Sequence, residues 1–104
     1  MINMTFGTLV REARKKKMWS LRKLADQMKE RGADIDFTYL SRVENDMSEY
    51  PLKEKNIIVL AEVLDIDKFK LIFAAGKIPQ EFSDTVIENP EAALRFFRTL
   101  KKSK

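Results

Sequence analysis

Apolar residues return along this chain at intervals of three and four, which is the period of an α-helix. Phe6, Leu9, Val10 and Ala13 follow Thr5, which reads as an N-cap, and Met18 closes this first apolar series. Ser20, after Trp19, reads as the next N-cap. Leu21, Leu24, Ala25 and Met28 then predict an amphipathic second helix, with Gly32 as its C-cap. Gly32-Ala33-Asp34-Ile35 reads as a short turn, and Asp36 as the N-cap of a third helix over 37–45. On that helix Leu40 and Val43 share one face, while Phe37, Thr38, Ser41 and Arg42 point elsewhere. Asn45 and Asp46, residues that tolerate turns and left-handed backbone, end it, and Met47 to Pro51 reads as a loop.

A fourth helix carries Ile57, Leu60, Ala61 and Leu64 on one stripe with Ile58 and Val63 beside it, and is expected at the centre of the core. Asp67 caps a fifth, with Phe69, Ile72 and Phe73 expected to face inward and Gly76 to end it. A short sixth helix is expected from Pro79 around Phe82 and Val86. Asn89-Pro90, an N-cap followed by proline at the first helical position, starts the last helix. No segment alternates as a strand does, so the fold class is all-α. The turn Gly76–Pro79 divides residues 1–76, a five-helix body, from a helical extension over 77–104.

Composition narrows the chemistry. The 104 residues suit one domain, and 44% apolar content suits a small core. There is no cysteine, hence no disulfide or thiolate metal site, and no histidine, the usual general base and metal ligand. No enzyme activity, cofactor or metal is expected. No run of 18 apolar residues and no signal-peptide pattern occurs, so no membrane role is expected and the cytoplasm is the expected location. Charge is partitioned. Residues 1–24 hold seven bases against Glu12, residues 25–94 hold eight bases against fifteen acids, and residues 95–104 hold five bases and no acid. Basic ends suit a polyanion, though Arg14-Lys15-Lys16-Lys17 at a helix C-terminus also suits the helix dipole.

Two helices joined by a short glycine-containing turn form a helix-turn-helix signature. The second helix opens with Trp19-Ser20-Leu21-Arg22-Lys23-Leu24-Ala25, and the third holds Tyr39-Leu40-Ser41-Arg42-Val43-Glu44-Asn45. With Leu9, Arg14 and Leu60-Ala61-Glu62-Val63-Leu64, these stretches resemble the lambda-repressor-like (Xre-type) helix-turn-helix family over roughly residues 5–75. The resemblance implies a five-helix DNA-binding domain and a sequence-specific regulator of transcription, expected to be a repressor, whose third helix enters the major groove of double-stranded DNA. It places base reading on Phe37, Thr38, Ser41 and Arg42. Phosphate contacts fall on Arg14, Lys17, Ser20, Arg22, Lys23, Asn45 and Lys53, and on Tyr39 unless its ring joins the core. It also pairs Arg14 with Glu44, an ion pair locking the first helix to the third. The chain departs from the family pattern in three ways. Leu21 stands where a glutamine is common. The interval from Ala25 to Asp36 is long, through a longer helix or a larger turn. Asp46-Met47-Ser48-Glu49 brings acid where bases are common.

The last helix carries Leu94, Phe96, Phe97 and Leu100 among Arg95, Arg98, Lys101 and Lys102. This face packs on the chain's own body, on a second copy or on another protein. A homodimer suits a palindromic operator, with half-sites about 34 Å apart. The alternative function is a protein-interaction module of the same fold, such as an antitoxin or regulatory adaptor.

Overall fold

A computed structural model describes residues 5–47 and 52–102, the side chains of residues 97 and 100–102 excepted. Among these residues the chain forms seven helices and no strand. They are α1 (Phe6–Lys16), α2 (Leu21–Glu30), α3 (Phe37–Glu44), α4 (Glu54–Leu64), α5 (Lys68–Ala74), α6 (Gln80–Glu88) and α7 (Pro90–Lys102). The expected loop at 47–51 lies, beyond Met47, outside the described residues.

Side-chain oxygens start four of these helices by accepting N–H groups that have no partner in the first turn. Thr5 accepts from Thr8 at 3.1 Å, Ser20 from Lys23 at 3.0 Å, and Asn89 from Ala92 at 3.2 Å. Asp67 accepts from both Phe69 and Lys70. Each such cap stabilises its helix by about 1 kcal/mol. Asp36 holds the N-cap position of α3, but its side chain makes no capping bond.

The helix ends need a residue with positive φ, and glycine supplies it at Gly32 and Gly76. Gly32 follows the C-cap residue Arg31, and the Ala33 N–H reaches back to the Met28 carbonyl at 3.0 Å. Met18, Asp46 and Asp65 adopt the same left-handed backbone without being glycine. Met18 therefore does not close the apolar face of α1. It sits at φ 59° after the helix and is 90% exposed, while the Trp19 N–H bonds back to Arg14. The turn geometry outweighs the apolar character of the side chain there.

Ile57, Leu60, Ala61, Val63 and Leu64 of α4 are buried, and α1, α2 and α5 pack around that helix. Val10, Leu24, Met28, Leu40, Val43, Leu71 and Ile72 complete the core around them. In α5 the inward residues are Leu71 and Ile72, whereas Phe73 is 49% exposed and Phe69 half-buried. The expectation that both phenylalanines face inward is thus corrected, because α5 is packed on two sides. Its aliphatic side meets the body and its aromatic side meets α6. The Phe82 ring lies 4.9 Å from Phe69 and 6.0 Å from Phe73.

Residues beyond Gly76 are tied to the start of α4 and to Leu52 just before it. Pro79 is buried, the Lys77 ammonium donates to the Leu52 carbonyl at 2.8 Å, and the Gln80 N–H donates to the Glu54 carboxylate at 3.1 Å. α6 and α7 then pack against each other.

Candidate nucleic-acid interface

α3 is held from behind by burial and by charge. Leu40 and Val43 enter the core, and Glu44, in the last turn, is 3% exposed despite its charge. A buried carboxylate needs partners, since desolvation alone disfavours it strongly. Arg14 supplies two parallel bonds, Nε to Oε2 at 2.6 Å and Nη2 to Oε1 at 2.9 Å. Its Nη1 donates to the Trp19 carbonyl at 2.8 Å, tying in the turn between α1 and α2. The hydrogen bond to Glu44 raises the Arg14 pKa above its ordinary value, against the lowering effect of burial.

Arg11, absent from the expected site residues, adds a second guanidinium. Its Nε lies 3.5 Å from Glu44 Oε1, and its Nη2 donates to the Glu44 carbonyl and to Asn45 Oδ1. The signal was available in the spacing: Arg11 and Arg14 are three apart and share one face of α1. Both cations sit at the C-terminal end of α3, where the helix dipole favours them.

Contact between α1 and α3 is also close at the backbone. Asp46 turns its carboxylate onto the N-terminus of α1, accepting the Gly7 N–H at 2.8 Å and the Thr5 hydroxyl at 2.6 Å. The acid that stood against phosphate binding therefore caps a helix of its own chain. Glu49 lies outside the described residues. Gly7 permits the approach, since a Cβ there would lie 2.5 Å from the Glu44 carbonyl oxygen and 2.6 Å from that of Val43.

The opposite side of α3 is open. Thr38 and Arg42 are exposed, and Ser41 and Phe37 are half-buried. The Arg22 guanidinium stands 4.5 Å above the Phe37 ring, a cation–π contact joining the first turn of α2 to the first turn of α3. Lys23 is exposed beside Arg22, and Ser20 keeps its hydroxyl proton after accepting from Lys23. Leu21 is half-buried against the core, which accounts for an apolar side chain at that place. The long interval before Asp36 is taken up by helix. α2 continues to Glu30, and only Gly32 to Ile35 lie between the cap residues Arg31 and Asp36.

Not every expected contact residue joins this face. Arg14 is turned inward onto Glu44 and Trp19. Lys17 is drawn to the C-terminal end of α4, where it pairs with Asp65 at 2.6 Å and stands over the Trp19 ring. The hydrogen bond and the charge of Lys17 hold the Asp65 carboxyl below its ordinary pKa. Asn45 donates to the Ser41 carbonyl and accepts from Arg11, so its amide serves the end of α3. The Tyr39 ring packs against the core, near exposed Lys53 on a shelf they share with Ile35 and Leu52. In α7, Leu94 is 49% and Phe96 60% exposed, while the side chains of Phe97 and Leu100 lie outside the description. Among the described residues no acidic cluster is arranged to hold a metal ion, and no helix is long and apolar enough to cross a membrane.

Comparison with known proteins agrees with this geometry. The model of a family described as helix-turn-helix matches residues 10–71, more than half of the chain. The chain belongs to that family, the lambda-repressor-like (Xre-type) helix-turn-helix proteins, which are DNA-binding regulators. No curated protein and no solved structure matches it.

Proposed function

We propose, from that membership, that the chain is a sequence-specific repressor that binds a palindromic operator as a homodimer and reads the major groove with α3. One observation carries the reading. α3 is anchored by Leu40, Val43 and the Glu44 clamp, while Thr38 and Arg42 are exposed on its outer side, next to exposed Arg22 and Lys23. Rigid support behind and polar side chains in front are what a helix needs to discriminate base edges.

In this proposal Arg42 bonds a guanine at O6 and N7, and Thr38 and Ser41 meet neighbouring base edges or a thymine methyl. Phe37, covered by Arg22, packs on a sugar or a methyl group. The α2 N-terminus, Ser20, Arg22 and Lys23 hold one phosphate run, and Lys53 another. Arg14 and Glu44 act on α3 rather than on DNA. Residues 1–76 serve DNA, and residues 77–104 serve association.

The test is selection from a duplex library at low and moderate salt, with wild type and Arg42→Ala. A selected palindrome is expected, together with a steep salt dependence. The variant should lose its preference at one base pair by about 1–3 kcal/mol. An unchanged preference in Arg42→Ala removes Arg42 as the reader. Absence of any selected duplex at low salt favours the alternative, a protein-interaction module such as an antitoxin or adaptor, which the exposed apolar side chains of α5 to α7 would suit.

A further inference from the structure

Among the described residues, five helices follow a residue whose side chain is able to cap them, and Thr5, Ser20, Asp67 and Asn89 do so. Asp36, at the start of α3, does not. Its backbone is extended, and its carbonyl accepts the Leu40 N–H at 3.1 Å, the first bond of the helix. Its carboxylate is exposed and, among the described residues, makes neither a capping bond nor an ion pair. Asp67 shows what the same side chain does as a cap, accepting from both Phe69 and Lys70.

Asp36 lines a cleft of about 220 Å³ between α2 and the start of α3. Phe37 lies next to it, with the Arg22 guanidinium 4.5 Å above the ring, and Asp26, Lys29 and Asp34 complete the charged lining. Three carboxylates against two cations make this cleft a poor seat for a phosphate. Yet it stands at the N-terminal end of α3, and in helix-turn-helix proteins the first residues of that helix meet base edges. A carboxylate there is repelled by the DNA backbone, and only an N–H on a base attracts it.

We propose that Asp36 is a specificity-determining residue that accepts a hydrogen bond from the N4 amine of a cytosine in the major groove. Cytosine offers a donor there with no acceptor of its own beside it. Adenine sets N7 next to its amine, guanine presents O6 and N7, and thymine presents O4, so each of these turns lone pairs toward a carboxylate. Rejection of those three contributes to the selection as much as attraction to the fourth. Arg22, stacked on Phe37, keeps a cation in the same cleft and softens the repulsion from neighbouring phosphates. The inference rests on the proposed reading of the major groove by α3 and adds a base contact outside Phe37, Thr38, Ser41 and Arg42.

The experiment is selection from a duplex library with the full chain as wild type, Asp36→Asn and Asp36→Ser, with a thermal melt of each. Wild type should select cytosine at one position of each half-site, in a base pair other than the one that Arg42→Ala affects. Asparagine carries an acceptor and a donor side by side, which matches adenine N6 and N7, so Asp36→Asn should switch that position from cytosine to adenine. Asp36→Ser should relax it about tenfold while the other positions keep their preference. Both variants should bind an unselected duplex more tightly at low salt, since a negative charge has left the interface. Neither should melt below wild type, because asparagine and serine cap a helix as well as aspartate does. If all three proteins select the same palindrome, the inference is overturned, Asp36 is a helix cap only, and the reading of α3 stands. If wild type selects no duplex, both are overturned.

Discussion

Arg14 and Glu44 face each other across α1 and α3 with two parallel bonds of 2.6 and 2.9 Å, and the carboxylate is almost wholly withdrawn from water. Among the described residues, Arg14→Ala leaves that charge with Arg11 as its ion-pair partner, at 3.5 Å. Breaking such a pair costs about 3–5 kcal/mol, and Arg11 should bring the loss toward the lower end. Replacing both partners with leucine should recover most of it. Because the folded pKa of Arg14 is raised, its contribution is complete below the ordinary arginine value and is lost only as pH rises beyond it. Urea denaturation between pH 6 and about 9 should therefore show a constant difference between wild type and Arg14→Ala. A double variant no more stable than Arg14→Ala would contradict this account.

Gly7→Ala should cost about 2–3 kcal/mol, as overpacking does where backbone is the obstacle. The added methyl meets two carbonyl oxygens and the Asp46 carboxylate, so α1 must lift from the end of α3. A thermal melt decides the matter: a variant melting with wild type would show that the two helices have room to spare.

Lys17 and Asp65 give the chain a small pH dependence. Lys17 depresses the Asp65 pKa, first by hydrogen bond and then by charge. A group with a depressed folded pKa contributes stability above its unfolded value, and that contribution is lost as pH falls through the folded one. Wild type and Lys17→Ala should differ at neutral pH and converge below about pH 4. In the variant, NMR titration of Asp65 should return to the ordinary carboxylate range. Identical titration in both chains would mean that the pair does not form in solution.

Salt dependence should separate the two lysines that the sequence alone treats as equals. Lys23→Ala is expected to weaken every duplex alike and to flatten the slope of log K against log salt by about 0.9, one released counterion. Lys17→Ala should leave that slope unchanged, since its ammonium rests on Asp65. The reverse result would place the phosphate track along α1 rather than at the start of α2.

The helices and their order were legible from the residues because their signals are local. Thr5, Ser20 and Asp67 bond N–H groups two or three residues away, and Gly32 and Gly76 meet a backbone requirement at their own positions. The outer face of α3 was legible for the same reason, since helical period alone sets Thr38 and Arg42 opposite Leu40 and Val43. Arg14 with Glu44 could be anticipated only through likeness to a family, because thirty positions separate them.

Local pattern therefore determined the elements and the outward side of α3. Which of those side chains remain available was decided by the tertiary structure. Asp46 caps a helix that begins some forty positions earlier, Arg11 joins a carboxylate on another helix, and Phe73 turns to α6 because Leu71 and Ile72 occupy the core. A charged group bonds whichever opposite charge or dipole the packing brings within about 3 Å, and sequence spacing carries no record of that meeting.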